Sequence, residues 1–323
     1  MKVLCTGAAG FIGGHLVKRL LDEGHQVRAV DKRPFSEWKQ LHADAENWQY
    51  TDLLALHACQ GAVLGQERVY HLAAESGGMG YITTHRADCM MNVVMDGNML
   101  TASLDAGVQR FYFASSACVY PVSRQQSRVP AVLAEDWVWP ADPEPGYGLS
   151  KLHTEQMCLF FGEDYGLNVR MGRHQSIFGE YGWYDGGREK APTAICRKVA
   201  TAKLHGEHHI DVWGDGTQAR DFVYISDAVD AITGIMGSDY GQPVNLGTGI
   251  TTTVAELVAI TEDIAGWQVT CHQVPGPLGV QGRSADTTLV AAHVAWKAQV
   301  SVHDGMEPTY AWVYDQVKTE LGL

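Results

Sequence analysis

The apolar and polar positions at the start of the chain predict a strand, a helix and a second strand. The apolar run KVLCT at 2–6 predicts a short buried strand, and leucines recur at helical spacing from 12 to 22. The segment HQVRAVD then predicts a second strand, which ends at Asp31. Because the glycine-rich segment GAAGFIG separates the first strand from the helix, these elements form one βαβ unit.

Strand-like and helical segments continue to alternate through the first half of the chain. The segments RVYHLAA at 68–74 and VQRFYFASS at 108–116 predict buried strands, and the pattern at 91–106 predicts a helix between them. The segment YTDL at 50–53 is expected to end a short strand. This alternation predicts an α/β fold with a Rossmann-type, doubly wound parallel sheet and a ligand at the carboxyl ends of its strands.

The glycine turn of the βαβ unit has the spacing of a dinucleotide-binding site. Its glycines follow a strand and open a helix, and small residues there let the backbone approach a pyrophosphate, which the positive end of the helix attracts. Asp31 would accept hydrogen bonds from ribose hydroxyls and repel a 2′-phosphate, which favours NAD over NADP, although the two basic residues after it weaken that preference. The residues of this half that are predicted to contact NAD are Gly7, Gly10, Phe11, Ile12, Gly13, Asp31 and Asp52.

The second half of the chain differs in its connections, which are rich in proline and glycine at 140–146, 179–187 and 275–282. Such connections predict shorter elements and a smaller α/β domain. We therefore expect an NAD-binding domain at 1–172 and a mainly substrate-binding domain at 173–323, with exchange of segments between the two allowed.

Composition limits the classes of function. With 46% hydrophobic residues in a chain of 323, the protein can bury a large core. Its net charge of −13 argues against nucleic acid as a partner, because phosphate binding needs a basic face. The seven cysteines show neither disulfide nor zinc spacing, so no metal site is predicted. No signal peptide or membrane-length apolar run is seen, and we expect a cytoplasmic protein without membrane contact.

A second motif, YGLSK, contains candidate catalytic residues. On a helix Tyr147 and Lys151 share one face, because they are four residues apart. A phenol has a pKa of about 10, too high for a base at neutral pH, but a lysine charge and a nicotinamide cation beside it would lower that pKa. The pair then suits removal of a proton from an alcohol during hydride transfer.

Together the glycine turn, Ser116 and the YGLSK motif resemble the extended short-chain dehydrogenase/reductase family over essentially the whole chain. This resemblance implies that Ser116, Tyr147 and Lys151 activate a substrate hydroxyl, and that Tyr147 and Lys151 also contact NAD. In members that act on nucleotide sugars, the residue two after the serine lies beside the sugar ring. Dehydratases carry an Asp-Glu pair there, whereas this chain has Ala117 and Cys118, which argues against dehydration.

The thiol of Cys118 suggests a different reaction. A thiol pKa of about 8.5 can fall next to a cation, and the thiolate could then take a proton from carbon. Oxidation of a hexose at C4 acidifies C3 and C5, and an acid on the opposite face is needed to return the proton. The loop GGREKAP at 186–192 offers Lys190 as that acid, with Arg188 beside it.

Further segments narrow the resemblance to the GDP-mannose 3,5-epimerases of that family; they are GGMGYI at 77–82, SSACVYP at 115–121, WGDGTQARDF at 213–222 and PGPLGVQGRSAD at 275–286. The resemblance implies a GDP-hexose substrate, Cys118 as general base, Lys190 as general acid, and inversion at C3, C5 or both through a 4-keto intermediate. It also implies a homodimer through helices at 87–106 and 147–164. The residues that it places at the substrate are Gly78, Met79, Ser116, Ser176, Arg188, Lys198, Arg220 and Arg283.

Two features depart from those relatives and leave alternatives open. Ser176 stands where the relatives carry Asn, so that a single hydroxyl replaces an amide. The idiosyncratic region 122–146 is expected to form a loop over the active site. The alternatives are an epimerase of another nucleoside diphosphate hexose, a 4-epimerase, dehydratase or oxidoreductase of the same family, and a cofactor-binding protein without chemistry. The presence of Tyr147 and Lys151 disfavours the last.

Overall fold

The computed structural model describes all residues from Met1 to Leu323, which form strands, helices and the turns between them. The strands are β1 (Lys2–Thr6), β2 (Gln26–Val30), β3 (Glu46–Trp48), β4 (Arg68–His71), β5 (Arg110–Ser116), β6 (Ala131–Leu133), β7 (Val169–His174), β8 (Ser176–Phe178), β9 (His209–Trp213), β10 (Ala219–Arg220), β11 (Phe222–Tyr224), β12 (Pro243–Leu246), β13 (Thr252–Thr253), β14 (Thr270–Val274) and β15 (Arg283–Ala285). The helices are α1 (Phe11–Asp22), α2 (Leu56–Val63), α3 (Met79–Ile82), α4 (Arg86–Met90), α5 (Asn92–Asp105), α6 (Tyr147–Tyr165), α7 (Ala191–His205), α8 (Ile225–Gly237), α9 (Val254–Ala265), α10 (Thr288–Val294) and α11 (Val302–Glu320).

Seven strands form one parallel sheet in the order β12-β7-β5-β4-β1-β2-β3. The strand order reverses between β1 and β4, which makes a crevice at the carboxyl ends of these two neighbours. The predicted α/β fold with a Rossmann-type, doubly wound parallel sheet is therefore confirmed.

Both faces of this sheet are covered, which explains why its strands are continuously apolar. One face packs against α1, α8 and α10 through buried residues such as Leu16, Ile232 and Val290. The other face packs against α2, α5 and α6 through Cys59 and Leu100 among others. The strands are thus held rigidly from both sides.

The second half of the chain adds a smaller α/β unit. Its helices α7, α9 and α11 share a separate core that includes Val199, Leu257 and Val313. Short strand pairs surround it, such as β9 with β14 and β8 with β11. The chain also returns to the large sheet, because β12 pairs with β7 and α8 packs on α1.

Three local predictions differ from the structure. The short strand before Asp52 ends earlier than predicted, at Trp48. Asp52 lies in the turn that follows and accepts a hydrogen bond from the amide of Leu54. The helix predicted at 91–106 is preceded by a separate short helix, with a break at Met91. The helix predicted at 147–164 extends to Tyr165. None of the helices is both long and apolar enough to cross a membrane.

Candidate functional site

A cavity of about 1010 Å³ lies at the carboxyl ends of the parallel strands and extends to the smaller unit. All of the site residues predicted from the sequence line it, although they come from distant parts of the chain. They are Gly7, Gly10, Phe11, Ile12, Gly13, Asp31, Asp52, Gly78, Met79, Ser116, Cys118, Tyr147, Lys151, Ser176, Arg188, Lys190, Lys198, Arg220 and Arg283.

At Gly7 and Gly13 the turn after β1 leaves no room for a Cβ atom. A Cβ on Gly13 would lie 2.1 Å from the carbonyl oxygen of Gly7, and a Cβ on Gly7, whose φ is +70°, would lie 2.8 Å from the amide nitrogen of Ala73. Helix α1 follows at Phe11, with no side-chain cap and no acidic residue in its first turn. Its first amides are therefore open to an anion such as the pyrophosphate of a dinucleotide.

The carboxylate that ends the second strand has the surroundings expected of a ribose ligand. Asp31 is 7% exposed and accepts hydrogen bonds from the amide of Ala9 at 3.2 Å and from the amide and side chain of Arg33 at 3.0 Å and 3.2 Å. Lys32 instead donates to Glu75 at 3.1 Å. Arg33 and Lys32 thus both bind acidic side chains. Because neither is left to bind the 2′-phosphate of NADP, the site fits NAD.

The residues that are predicted to activate a hydroxyl meet where β5 ends and α6 begins. Ser116 Oγ accepts a hydrogen bond from the amide of Cys118 at 3.1 Å. Tyr147 is the first residue of α6, and Lys151 follows one turn later with its Nζ 5.8 Å from the Tyr147 ring centroid and 4.5 Å from that of Phe113. Burial raises the pKa of Tyr147, and Ser116 opposes this shift; burial lowers the pKa of Lys151.

The thiol of Cys118 lies beside cations in the same cavity. Its Sγ is 3.7 Å from Nη2 of Arg283, and Arg283 also donates to the carbonyl of Ala117 at 3.0 Å. Lys190 faces the open space of the cavity immediately before α7, yet the surrounding protein lowers its pKa. The thiol opposes that shift in Lys190, whereas the charge of Arg283 adds to it. A thiol and an ammonium group thus line one cavity.

Two further cations of the cavity donate their hydrogen bonds to neutral groups. Arg220 donates to the carbonyls of Leu278 and Val280 at 3.1 Å and 2.5 Å, and Lys198 donates to the carbonyl of Asp211 at 2.6 Å. Burial and the neighbouring Arg283 lower the pKa of Arg220 to about 9. Because neither side chain forms an ion pair with a carboxylate, this side of the cavity suits an anionic ligand.

Arg188 has protein partners, although the sequence predicts it to contact the substrate. Its guanidinium binds the carboxylate of Glu75, the hydroxyl of Tyr81 at 2.7 Å and the carbonyl of Ser76 at 2.9 Å, and it lies 3.8 Å from the Tyr81 ring centroid. The amide of Gly78 donates to the carbonyl of Arg188 at 2.9 Å. Arg188 therefore ties the loop that carries Lys190 to the segment after β4.

The prediction that 122–146 forms a loop over the active site is wrong. None of its residues lines the cavity, and Leu133 and Val138 are buried in a small core of their own. Strand β6 pairs with β15, whose first residue is Arg283. The region therefore supports the cavity wall from behind. Sequence reasoning missed the cavity residues Glu75 and His174, which belong to no motif considered, and Gln218, which lies within the segment at 213–222 without being predicted as a site residue.

A dinucleotide fold that joins a Ser, Tyr and Lys set to a substrate cavity defines an enzyme that oxidises or reduces a hydroxyl-bearing carbon. Residues 3–247 match the model of the NAD dependent epimerase/dehydratase family, and the chain belongs to that family.

Comparison with individual proteins defines the type of enzyme more closely. The chain is 37% identical to GDP-mannose 3,5-epimerase 1 of Oryza sativa subsp. japonica, over 99% of this chain and 83% of the rice protein. It is 36% identical to GDP-mannose 3,5-epimerase of Arabidopsis thaliana, over 99% and 84% of the two chains. The UDP-glucose 4-epimerase of Thermotoga maritima superposes with a TM-score of 0.88 at 25% identity, covering 98% of this chain and all of that one. The protein is thus an NAD-dependent epimerase.

Proposed function

We propose that this epimerase inverts C3 and C5 of GDP-mannose through a 4-keto intermediate. The products would be GDP-L-galactose and, where C5 alone is inverted, GDP-L-gulose. The observation that supports this most directly is the contact of Cys118 with Arg283 in a cavity that Lys190 also lines. A 4-epimerase needs only a hydride returned to the other face of C4, whereas a thiol and an ammonium group suit proton exchange at carbon. The two plant relatives bear the name of this activity.

In the first step of the proposed mechanism, the oxygen of Tyr147 removes the proton of the C4 hydroxyl. Ser116 holds that hydroxyl, and the ammonium group of Lys151 stabilises the phenolate, whose formation burial otherwise opposes. NAD, when bound by the glycine turn and Asp31, supplies a hydride acceptor and donor at C4, so that the whole reaction has no net redox change.

In the second step, Cys118 and Lys190 exchange protons with the carbons beside the ketone. The sulfur takes the proton from carbon, and the guanidinium of Arg283 at 3.7 Å stabilises the thiolate that does so. Lys190 returns a proton from the other side, and the lowered pKa of its ammonium group makes that transfer easier. Before a second carbon is inverted, the thiol releases its proton to solvent and Lys190 takes one up from solvent. Tyr147 finally gives its proton back to the C4 oxygen.

The diphosphate of the substrate would bind Lys198 and Arg220, neither of which forms an ion pair with a carboxylate. Lys198 and Arg220 are partly buried and donate to carbonyl oxygens that cannot neutralise them. Phosphate oxygens would supply both the missing charge and further acceptors. The sugar then lies toward Arg283 and Cys118, with Gly78 and Met79 at its side.

A second candidate is 4-epimerisation of a UDP-hexose. The Thermotoga relative with this activity has the same fold across the whole chain. Ser176 also supports a substrate other than GDP-mannose, because its hydroxyl offers fewer hydrogen bonds than the Asn of the GDP-mannose enzymes.

The experiment that separates the two candidates is incubation of the purified protein with GDP-mannose, and separately with UDP-glucose, in D₂O. Proton NMR would follow the ring signals and the appearance of new sugar configurations. We expect deuterium at C3 and C5 of GDP-mannose with galacto- and gulo-configured products. Exchange at C5 alone would restrict the activity to 5-epimerisation. Galacto-configured UDP-sugar without deuterium on carbon, and no reaction of GDP-mannose, would replace the proposal by the second candidate.

A further inference from the structure

A chain of buried polar side chains lies outside the cavity and links β1, β4, α5 and α6. Thr6 Oγ1 lies 2.8 Å from His71 Nδ1, and His71 Nε2 lies 2.9 Å from Asp96 Oδ1. Thr154 donates to Asp96 Oδ2 at 2.7 Å. All four residues are at most 1% exposed, and none lines the cavity. The reaction steps above use none of them, so their presence in the core needs another reason.

The hydrogen bonds of Thr6 determine which ring nitrogen of His71 donates to Asp96. The Thr6 hydroxyl oxygen accepts from the amides of Leu72 and Ala73, each at 3.2 Å, so its own proton is free to go to Nδ1 of His71. Nδ1 then accepts, and Nε2 is the ring nitrogen that donates to Asp96. His71 and Thr154 thus bind the two carboxylate oxygens of Asp96 by hydrogen bonds.

Lys151 is a buried cation on the helix whose Thr154 donates to the Asp96 carboxylate. Lys151 is 1% exposed, and Thr154, the donor to Asp96, lies one turn further along the same helix. The ring of Phe113 contacts Lys151 Nζ at 4.5 Å and stacks on His71 at a centroid distance of 6.5 Å. Asp96 is also the strongest charge opposing the effect of burial on the pKa of Lys151.

The other titratable groups that face Lys151 are neutral or already paired. They are Tyr147, Glu155 and Cys158 on α6, Cys89 on α4 and His174 on β7. Glu155 receives two hydrogen bonds from Arg173, at 2.9 Å and 2.8 Å. Burial raises the pKa of Cys89 to about 11 and that of Cys158 well above its ordinary value, and burial lowers the pKa of His174 to about 3. Unlike Glu155, Asp96 forms no ion pair with an arginine, so its charge is available to Lys151.

We propose that Asp96 is the buried counter-ion of Lys151 and a positioning residue for the reaction. Its negative charge keeps the Lys151 ammonium protonated at a site where burial would otherwise favour the neutral amine. The charged Lys151 is then available to stabilise the Tyr147 phenolate. The inference rests on the proposed role of Lys151 in the reaction, but the charge coupling itself can be measured without substrate.

The test compares Asp96→Asn with Thr154→Val in the full-length protein. The first variant removes the charge and keeps hydrogen-bonding atoms, whereas the second removes one hydrogen bond to Asp96 and keeps the charge. The pKa of Lys151 would be measured by NMR titration of ¹³C-lysine-labelled protein, with Lys151→Arg to assign the signal. We expect the Lys151 pKa to fall by about one unit or more in Asp96→Asn and by much less in Thr154→Val.

The pH dependence of activity provides a second measurement, which would not change if Asp96 had only a structural role. Lys151 acts in its protonated form, so activity is lost as pH rises through its pKa, and this alkaline limb should shift to lower pH in Asp96→Asn by the amount seen by NMR. If Asp96→Asn fails to fold, Asp96→Ser offers a second neutral variant. An unchanged Lys151 titration in a folded neutral variant would overturn the proposal. Because that titration needs no substrate, the proposal stands or falls independently of the identity of the sugar.

Discussion

Tyr147 and Cys118 line one cavity but act on different atoms in the proposed reaction, so their removal should stop it at different steps. Cys118→Ala leaves the Ser116, Tyr147 and Lys151 set intact. We expect this variant to bind NAD and substrate and to form reduced NAD transiently. It should lose deuterium exchange at C5 by about 10²- to 10⁴-fold, because a general base has been removed. Stopped-flow absorbance and NMR in D₂O measure these two steps separately.

Tyr147→Phe should fail earlier, at oxidation of C4. Without the phenolic oxygen nothing removes the hydroxyl proton, so neither reduced NAD nor carbon exchange should appear. Cys271→Ala is a suitable control because Cys271 is exposed and does not line the cavity. Wild-type exchange in Cys118→Ala would refute the thiol as base, and accumulation of reduced NAD in Tyr147→Phe would contradict the role of the phenol.

Among the connections between elements, the contact of Glu75 with Arg188 joins the segment after β4 to the loop before α7. Although burial raises the pKa of Glu75, hydrogen bonds from Tyr81, Arg188 and Lys32 lower it to about 2. An unfolded glutamate has a pKa of about 4.3. The carboxylate therefore contributes stability above the unfolded pKa, and that contribution is lost as pH falls from about 5 to about 2.

Glu75→Gln should accordingly be less stable than the wild type at neutral pH. The difference in urea midpoint should shrink as pH falls through that window, since the wild-type carboxylate is then protonated as well. Asp22→Asn is the matched control, because Asp22 forms an exposed ion pair with Lys18 within one helix, and such pairs contribute little. A constant difference between wild type and Glu75→Gln from pH 7 to pH 2 would show that the charge of Glu75 is not what stabilises the fold.

The sequence predicts elements and motifs well where the signal is local. The turn at Gly7 and the pair of Tyr147 and Lys151 depend on spacings within one turn or one helix, and the structure has them where the pattern places them. Glu75 and Arg188 are 113 residues apart, and no periodicity relates them. Long-range contacts of this kind depend on the register of the whole fold, as does the burial of Asp96 against His71.

The structure of region 122–146 also depends on long-range contacts that the sequence pattern does not predict. Its proline-rich composition is typical of a surface loop, and it does contain turns. However, β6 pairs with β15, a strand of the far C-terminal part of the chain, and Leu133 fills a core behind the cavity. Three residues of strand carry too short a pattern to predict such a pairing.

At the scale of the whole molecule, one surface suggests a second copy of the chain. Helices α4, α5 and α6 lie side by side and expose large apolar side chains, among them Met90, Val94, Leu149 and Phe160. Their exposed fractions range from 37% to 54%. A patch of this kind on neighbouring helices is typical of an interface between protein chains. The homodimer predicted from the sequence would use this surface.

We expect light scattering coupled to size-exclusion chromatography to give about twice the chain mass of 35.3 kDa. The double variant Val94→Glu and Phe160→Glu should give a monomer, because a symmetric interface would bury each new charge without a partner. Ile250→Glu is the control, since Ile250 is 70% exposed in a loop outside these helices. A wild-type monomer would contradict the prediction, and a dimer that survives the double variant would place the interface elsewhere. Cys118 and Lys190 come from one chain and line one cavity, so the proposed chemistry does not itself require a dimer. A folded monomeric variant that kept its activity would therefore assign this surface to assembly alone.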